Sequence, residues 1–180
     1  MPNGMLWIVQ SGAQWREPPE AYGPWRSVYA QFAKWRKKTA DKSVDRTRGG
    51  LNTKLHAVMD GLGNPVDFLL SAKNDHDSVH AVELLKKVEI RGSGVLTDWA
   101  YGARAIRPYI SEHGASYVIP PQSNVSDPWP VDWHLYTECH LVECLFQKIK
   151  WFRRIATRYD KLDASFLVFV YLASIAILLI

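Results

Sequence analysis

Two carboxylates stand where the chain could do chemistry. Asp98 closes a short run, Gly94-Val95-Leu96-Thr97, that reads as a strand with an acid at its C-terminal end. Glu143 lies in the stretch from Asp132 to Arg158, which holds no Gly or Pro and is expected to form one long helix. Tyr136, Cys139, Glu143 and Lys150 follow one another by three, four and seven residues, steps that return to the same helix face. That face presents an acid with a cation two turns further on. A carboxylate fixed on a rigid helix is a good ligand for a hard divalent ion. The same spacing suits a solvated Glu and Lys on an ordinary amphipathic helix, and spacing alone does not choose.

The elements that must position these acids are legible on either side. Lys54–Asp60 and Pro65–Ser71 read as strands joined through Gly61-Leu62-Gly63-Asn64, a hairpin. Ser78–Lys87 reads as a helix, Ala103–His113 as another stopped by Gly114, and Ser116–Ile119 as a strand ended by Pro120-Pro121. Strands alternating with helices imply parallel pairing in part of the sheet. Upstream, Met5–Gln10 suggests a short helix, and Gly23-Pro24 opens a second on which Trp25, Val28, Tyr29, Phe32 and Trp35 recur with helical period. A basic helix with an aromatic stripe suits a DNA-binding module, and it suits equally a helix whose aromatics are core. Thr39–Gly50 is polar and reads as a linker.

At 180 residues the chain can form one domain, or one domain with a small appendage, and 47% hydrophobic with 22% charged residues is ordinary globular composition. Net charge is +4, and the excess gathers in two runs. Arg26 to Arg48 includes Lys34, Arg36, Lys37 and Lys38, and Lys148 to Arg158 includes Lys150, Arg153 and Arg154 with no acid. Such patches fit a polyanion, although basic runs are also common on plain surfaces. Cys139 and Cys144 lie five apart on one helix, too far for a comfortable disulfide, and point to a reducing compartment. Met5–Val9 is too short for a signal peptide. The apolar run Phe166–Ile180 suits a tail anchor or a buried terminal helix. Being shorter than the ~20 residues of a membrane span, it favours the helix. His76 and His80 are spaced to share a helix face as metal ligands, but without a third ligand they read as surface or supporting histidines. No Walker loop, dinucleotide fingerprint, zinc set or Ser-His-Asp pattern is present.

Longer stretches carry a resemblance. The spacing Tyr136-x2-Cys139-x3-Glu143-x6-Lys150 resembles the C-terminal signature of bacterial insertion-sequence transposases of the DDE class, with Cys139 where that signature has Arg. Gly12-Ala13-Gln14-Trp15-Arg16, Tyr22-Gly23-Pro24-Trp25 and Arg48-Gly49-Gly50-Leu51-Asn52-Thr53-Lys54-Leu55-His56-Ala57 are similar to the insertion-sequence-five family of these enzymes. Gly63-Asn64-Pro65, His76-Asp77, Leu96-Thr97-Asp98-Trp99-Ala100-Tyr101, Val118-Ile119-Pro120-Pro121 and Phe152-Arg153-Arg154-Ile155-Ala156-Thr157-Arg158-Tyr159-Asp160-Lys161 continue the likeness in order.

The resemblance implies an α/β fold, the RNase-H-like DDE catalytic fold, preceded by a small helical module. It divides the chain into a helical module at 1–38, a linker at 39–50 and the catalytic domain at 51–180. Asp98 would be the second acid and Glu143 the third, both metal-binding, with Mg²⁺ or Mn²⁺ as the cofactor. The family's first acid sits on a central first strand, whose place here is taken by the polar 39–50 segment. The resemblance therefore implies an internal deletion and an impaired enzyme. Asp41 and Asp45 lie in that gap without a strand around them. The hairpin would then pair directly with the Asp98 strand, or leave strand edges open. Lys150, Arg153, Arg154, Arg158, Arg36, Lys37 and Lys38 would hold DNA phosphates. The implied partner is the terminal inverted repeats of an insertion element. A homo-oligomer fits as well, as does a cytoplasmic location on the nucleoid rather than a membrane. The competing function is a non-catalytic DNA-binding remnant that inhibits an intact transposase.

Overall fold

Pro24 pre-sets the first turn of a helix and Gly12 ends another, so the N-terminal third folds as the punctuation dictates. The structure is a computed structural model that describes residues 2–42, 53–101 and 105–179, with side chains to residue 39 in the first stretch. Helix α1 spans Pro2–Ser11 and α2 Trp25–Lys42, with a 3₁₀ turn at Glu20–Tyr22 between them. Strands β1 (Thr53–Met59) and β2 (Pro65–Ala72) precede α3 (Asp77–Leu85) and β3 (Gly94–Leu96). After a 3₁₀ turn at Trp99–Tyr101 come α4 (Ile106–Glu112) and β4 (Ser116–Val118). The chain then enters α5 (Trp133–Tyr136), a 3₁₀ turn at Thr137–Cys139, α6 (His140–Lys150), α7 (Arg153–Ala156) and α8 (Asp163–Leu178).

The chain divides into two compact units, Met1–Thr53 with Leu145–Ile180, and Lys54–Cys144. In the first, α8 packs on α1, α2 and α7. Its sequence is apolar on every side, which suits a helix enclosed by others, and Phe166–Val170, Leu172 and Ala173 are buried. Asp163 in its first turn complements the helix dipole. Met5, Ile8, Val28, Phe32 and Phe169 close the core, with the rings of Phe32 and Phe169 stacked 4.7 Å apart. The aromatic stripe of α2 is therefore core. Helices α1 and α2 approach closely at Gly4, where a Cβ would meet Val28 Cγ2 at 3.1 Å and Tyr22 Cβ at 3.2 Å.

The second unit holds the strands. Asp60 organises the hairpin turn by accepting from the amides of Leu62 and Asn64, both at 2.9 Å. Strands β3 and β4 pair in parallel, Gly94 with Ser116, Val95 with Tyr117 and Leu96 with Val118, with α4 as the crossover. Ala81, Leu85, Ile90, Ile106, Ile110 and Ile119 form its core.

Three expectations are corrected. The helix foreseen over 132–158 is broken into α5, a 3₁₀ turn, α6 and α7, with Phe152 extended at φ −84°, ψ 105°. Absence of Gly and Pro permits a helix but does not demand one, and the ties of Arg154 described below override propensity here. Helix α2 runs to Lys42, past the expected linker start at Thr39, because Thr39-Ala40-Asp41-Lys42 contains no breaker. The rest of that linker, with Asp45, Arg46 and Arg48 to Asn52, lies outside the described residues, as do 102–104 at the start expected for the following helix. Finally, the described strands form two separate two-stranded sheets, so the hairpin does not pair with the Asp98 strand. Strand β3 is three residues long and has one partner among the described residues.

Candidate functional site

Asp98 sits two residues beyond β3, where the chain turns into the 3₁₀ segment Trp99–Tyr101. Its Oδ1 accepts from the Ala100 amide at 3.0 Å, and its carbonyl accepts from the Tyr101 amide at 3.2 Å. The residue is exposed, and partial desolvation of its carboxyl raises the pKa above the ordinary carboxylate value. The backbone donors of Ala100 and Tyr101 offset the rise in part, and the charge of Asp77 adds to it.

The signature segment meets this acid. The Tyr136 hydroxyl and the Cys139 thiol are both pushed up, chiefly by burial, and the negative charge of Asp98 adds to each shift. Tyr136 and Cys139 thus lie within electrostatic range of Asp98. Cys139 is half-buried there. Where the signature has Arg, a cation, this chain has a neutral thiol. Glu143 is exposed on the first turn of α6.

A polar cluster missed by the sequence reading backs Asp98. Buried His56 on β1 joins Tyr101 Oη through Nδ1 at 2.8 Å and Ser71 Oγ through Nε2 at 2.7 Å. Lys54 Nζ donates to Asp77 Oδ1 at 2.8 Å and to the Asp75 carbonyl at 2.8 Å. Lys54 and His56 are two apart on a strand and share a face, a signal the sequence did carry. His80 pairs with Asp75 at 3.0 Å and Glu83 at 3.5 Å, whereas His76 is exposed at the start of α3, so the two histidines do not act together.

The cations divide into two groups. Lys150, Arg153, Lys37 and Lys38 are exposed, and Arg36 is half-buried. Arg154 is buried: its Nε and Nη2 grip Asp160 at 3.0 and 3.3 Å, its Nη1 donates to the Ala13 carbonyl at 2.8 Å, and it lies 4.7 Å over the Phe169 ring. Arg158 is bound to Asp163, Thr53 and the Asp160 carbonyl. These two guanidiniums serve the fold of the first unit and are not held out for phosphates, which corrects the expectation for them.

A family model described as Transposase DDE domain matches residues 13–127, most of the chain. The chain belongs to the DDE transposase family. A putative transposase for insertion sequence element IS6501 from Brucella ovis is 38% identical over 128 residues, covering 68% of this chain and 95% of that protein. No solved structure matches the chain. Membership implies an RNase-H-like α/β fold, which this transposase expresses as mixed helices and two small sheets. The matched stretch contains Asp77 and Asp98 and ends before Tyr136.

DDE domains generally use divalent metal ions. The described residues do not assemble a holder for one: no three His, Cys, Asp or Glu side chains among them converge. Asp77, the acid whose charge reaches Asp98, is paired with Lys54.

The buried histidine makes stability depend on pH. Desolvation holds the His56 pKa below the ordinary 6.5, with His80 and Lys54 lowering it further and Asp77 and Asp75 opposing. The unfolded chain takes up a proton near pH ~6.5 while the folded chain resists, so stability present above that pH is lost as pH falls through the folded value. The thermal midpoint is expected to fall between about pH 7 and 5. His56→Gln should flatten that decline, and equal slopes for the two proteins would show that another group titrates.

Proposed function

We propose that this chain is an insertion-element transposase that binds its element's terminal inverted repeats, with Asp98 and Glu143 as its remaining acids and strand cleavage impaired. The position of Asp98 just past parallel strand β3, within electrostatic range of Tyr136 and Cys139 on the segment that leads into Glu143, is the observation that supports this reading. The impairment rests on two points. The polar 39–50 segment stands where the family's first strand and acid belong. Cys139 stands at the position of the signature Arg. The family's chemistry is phosphodiester hydrolysis and strand transfer with Mg²⁺ or Mn²⁺. This chain's own contribution is to hold DNA: Lys150, Arg153, Arg36, Lys37 and Lys38 contact phosphates, which gives affinity and salt dependence rather than sequence choice. Work on DNA places it in the cytoplasm at the nucleoid. No described helix is long and apolar enough to cross a membrane.

The second reading, a non-catalytic remnant that occupies ends and inhibits an intact transposase, is favoured by Cys139 at the position where the signature has Arg. One experiment separates the two. The purified chain is mixed with DNA carrying the element's ends, with and without Mg²⁺, and compared with Glu143→Ala. Binding is expected without cleavage, and Lys150→Ala and Arg153→Ala should each flatten the slope of log affinity against log salt by about 0.9. Mg²⁺-dependent cleavage that Glu143→Ala abolishes would refute the impairment. Binding that inhibits an active transposase in trans would establish the second reading.

A further inference from the structure

Asp98 stands on a slender support. Strand β3 ends two residues before it and has one paired neighbour among the described residues. A reacting carboxylate needs its position fixed to within roughly 0.5 Å, and that precision comes from a second layer of contacts. The second layer here reaches across from the other sheet of the same unit. His56 on β1 and Ser71 on β2 are buried, at 3% and 0% exposure. From there His56 reaches Tyr101, 45 residues along the chain, whose own amide bonds back to Asp98.

We propose that His56 is a positioning residue for Asp98: anchored on Ser71, it holds the Tyr101 hydroxyl and thereby fixes the 3₁₀ turn whose amides grip the acid. This rests on the reading of Asp98 as a site acid. The hydrogen-bond directions follow from satisfying every partner. Tyr101 Oη–H donates to Nδ1, Nε2–H donates to Ser71 Oγ, and Ser71 turns its proton to the Ala72 carbonyl at 3.5 Å. A neutral imidazole with its proton on Nε2 completes the chain. An apolar residue would fill the same volume without the cost of burying a polar ring, so the ring's two nitrogens, and not its bulk, distinguish this site. Helix α3 packs on both β2 and the 3₁₀ turn and holds the two ends of the link together.

The test reads the turn itself and needs no activity. Tyr101→Phe removes only the hydroxyl and keeps the ring. Amide hydrogen exchange by NMR is expected to quicken at Ala100 and Tyr101 by about fivefold to tenfold, as for loss of one hydrogen bond, while β1 and β2 amides keep their wild-type rates. The His56 ring nitrogens should show the Nε2–H form in the wild type, with the Nδ1 signal moving in Tyr101→Phe. His56→Leu should quicken exchange at the same two amides, and His56→Gln, which can still donate and accept, should partly restore it. Wild-type exchange at Ala100 and Tyr101 in Tyr101→Phe would overturn the proposal, and so would quickening spread evenly over the hairpin. The reading of Asp98 as a site acid fails separately: added Mn²⁺ would then broaden the Ala100 and Tyr101 amide signals no more in the wild type than in Asp98→Asn, whatever the exchange shows.

Discussion

Replacing Arg154 with alanine is expected to destabilise the first unit by about 3–5 kcal/mol, the range for removing one partner of a buried ion pair. The side chains of Arg154 and Asp160 are 8% and 14% exposed, so the orphaned carboxylate would have little water to turn to. The Ala13 carbonyl and the face of Phe169 would lose their partner as well. Urea denaturation measures the loss, and hydrogen exchange on α1 and α8 assigns it to this unit. Lys150→Ala and Arg153→Ala, one or four residues away and exposed, should each change stability by less than about 0.5 kcal/mol. A comparable result for all three variants would mean that Arg154 is a surface cation after all and restore it as a phosphate contact.

Phe169→Ala is expected to cost about 3–5 kcal/mol, from lost burial and the cavity left behind. The ring is fully buried and touches Phe32 at 4.7 Å and Trp15 at 5.9 Å. Because Arg154 lies over the same ring, the double variant should lose less than the sum of the two singles by about 0.5–3 kcal/mol. A loss under about 1 kcal/mol for Phe169→Ala would show that α8 is not core, and would reopen the anchor reading of the apolar C-terminal run.

Much of the second unit was legible because its signals are local. Gly61–Asn64 marks the hairpin turn, Gly114 stops α4, and Asp98 closes a short apolar run. Each is written within a few residues of where it acts. The first unit was less legible because its decisive contacts are distant in sequence. Nothing near Arg154 announces that its partner is a carbonyl 141 residues earlier. Its neighbours Arg153 and Lys150 look the same in sequence and stay exposed. Periodicity marked Phe32 and the terminal apolar run marked Phe169, but nothing marked them as partners. The break at Phe152 follows from those same contacts, so local propensity gave a helix too long. In the candidate site, resemblance proposed Asp98 and Glu143, whereas the His56–Tyr101 link runs 45 residues from a strand to a 3₁₀ turn and escaped it.

The first unit is made from both ends of the chain, and that has a consequence during synthesis. Residues 54–144 form one continuous stretch and can fold as they emerge. Helices α1 and α2 must wait for the segment from Leu145 onward before Phe32 finds Phe169. At ribosomal rates of about 5–20 residues per second, that wait is on the order of 6–25 s, with an apolar helical pair exposed on a nascent chain. A premature stop anywhere before α8 would release a polypeptide whose first helices have lost their core, a natural client for chaperones and proteases.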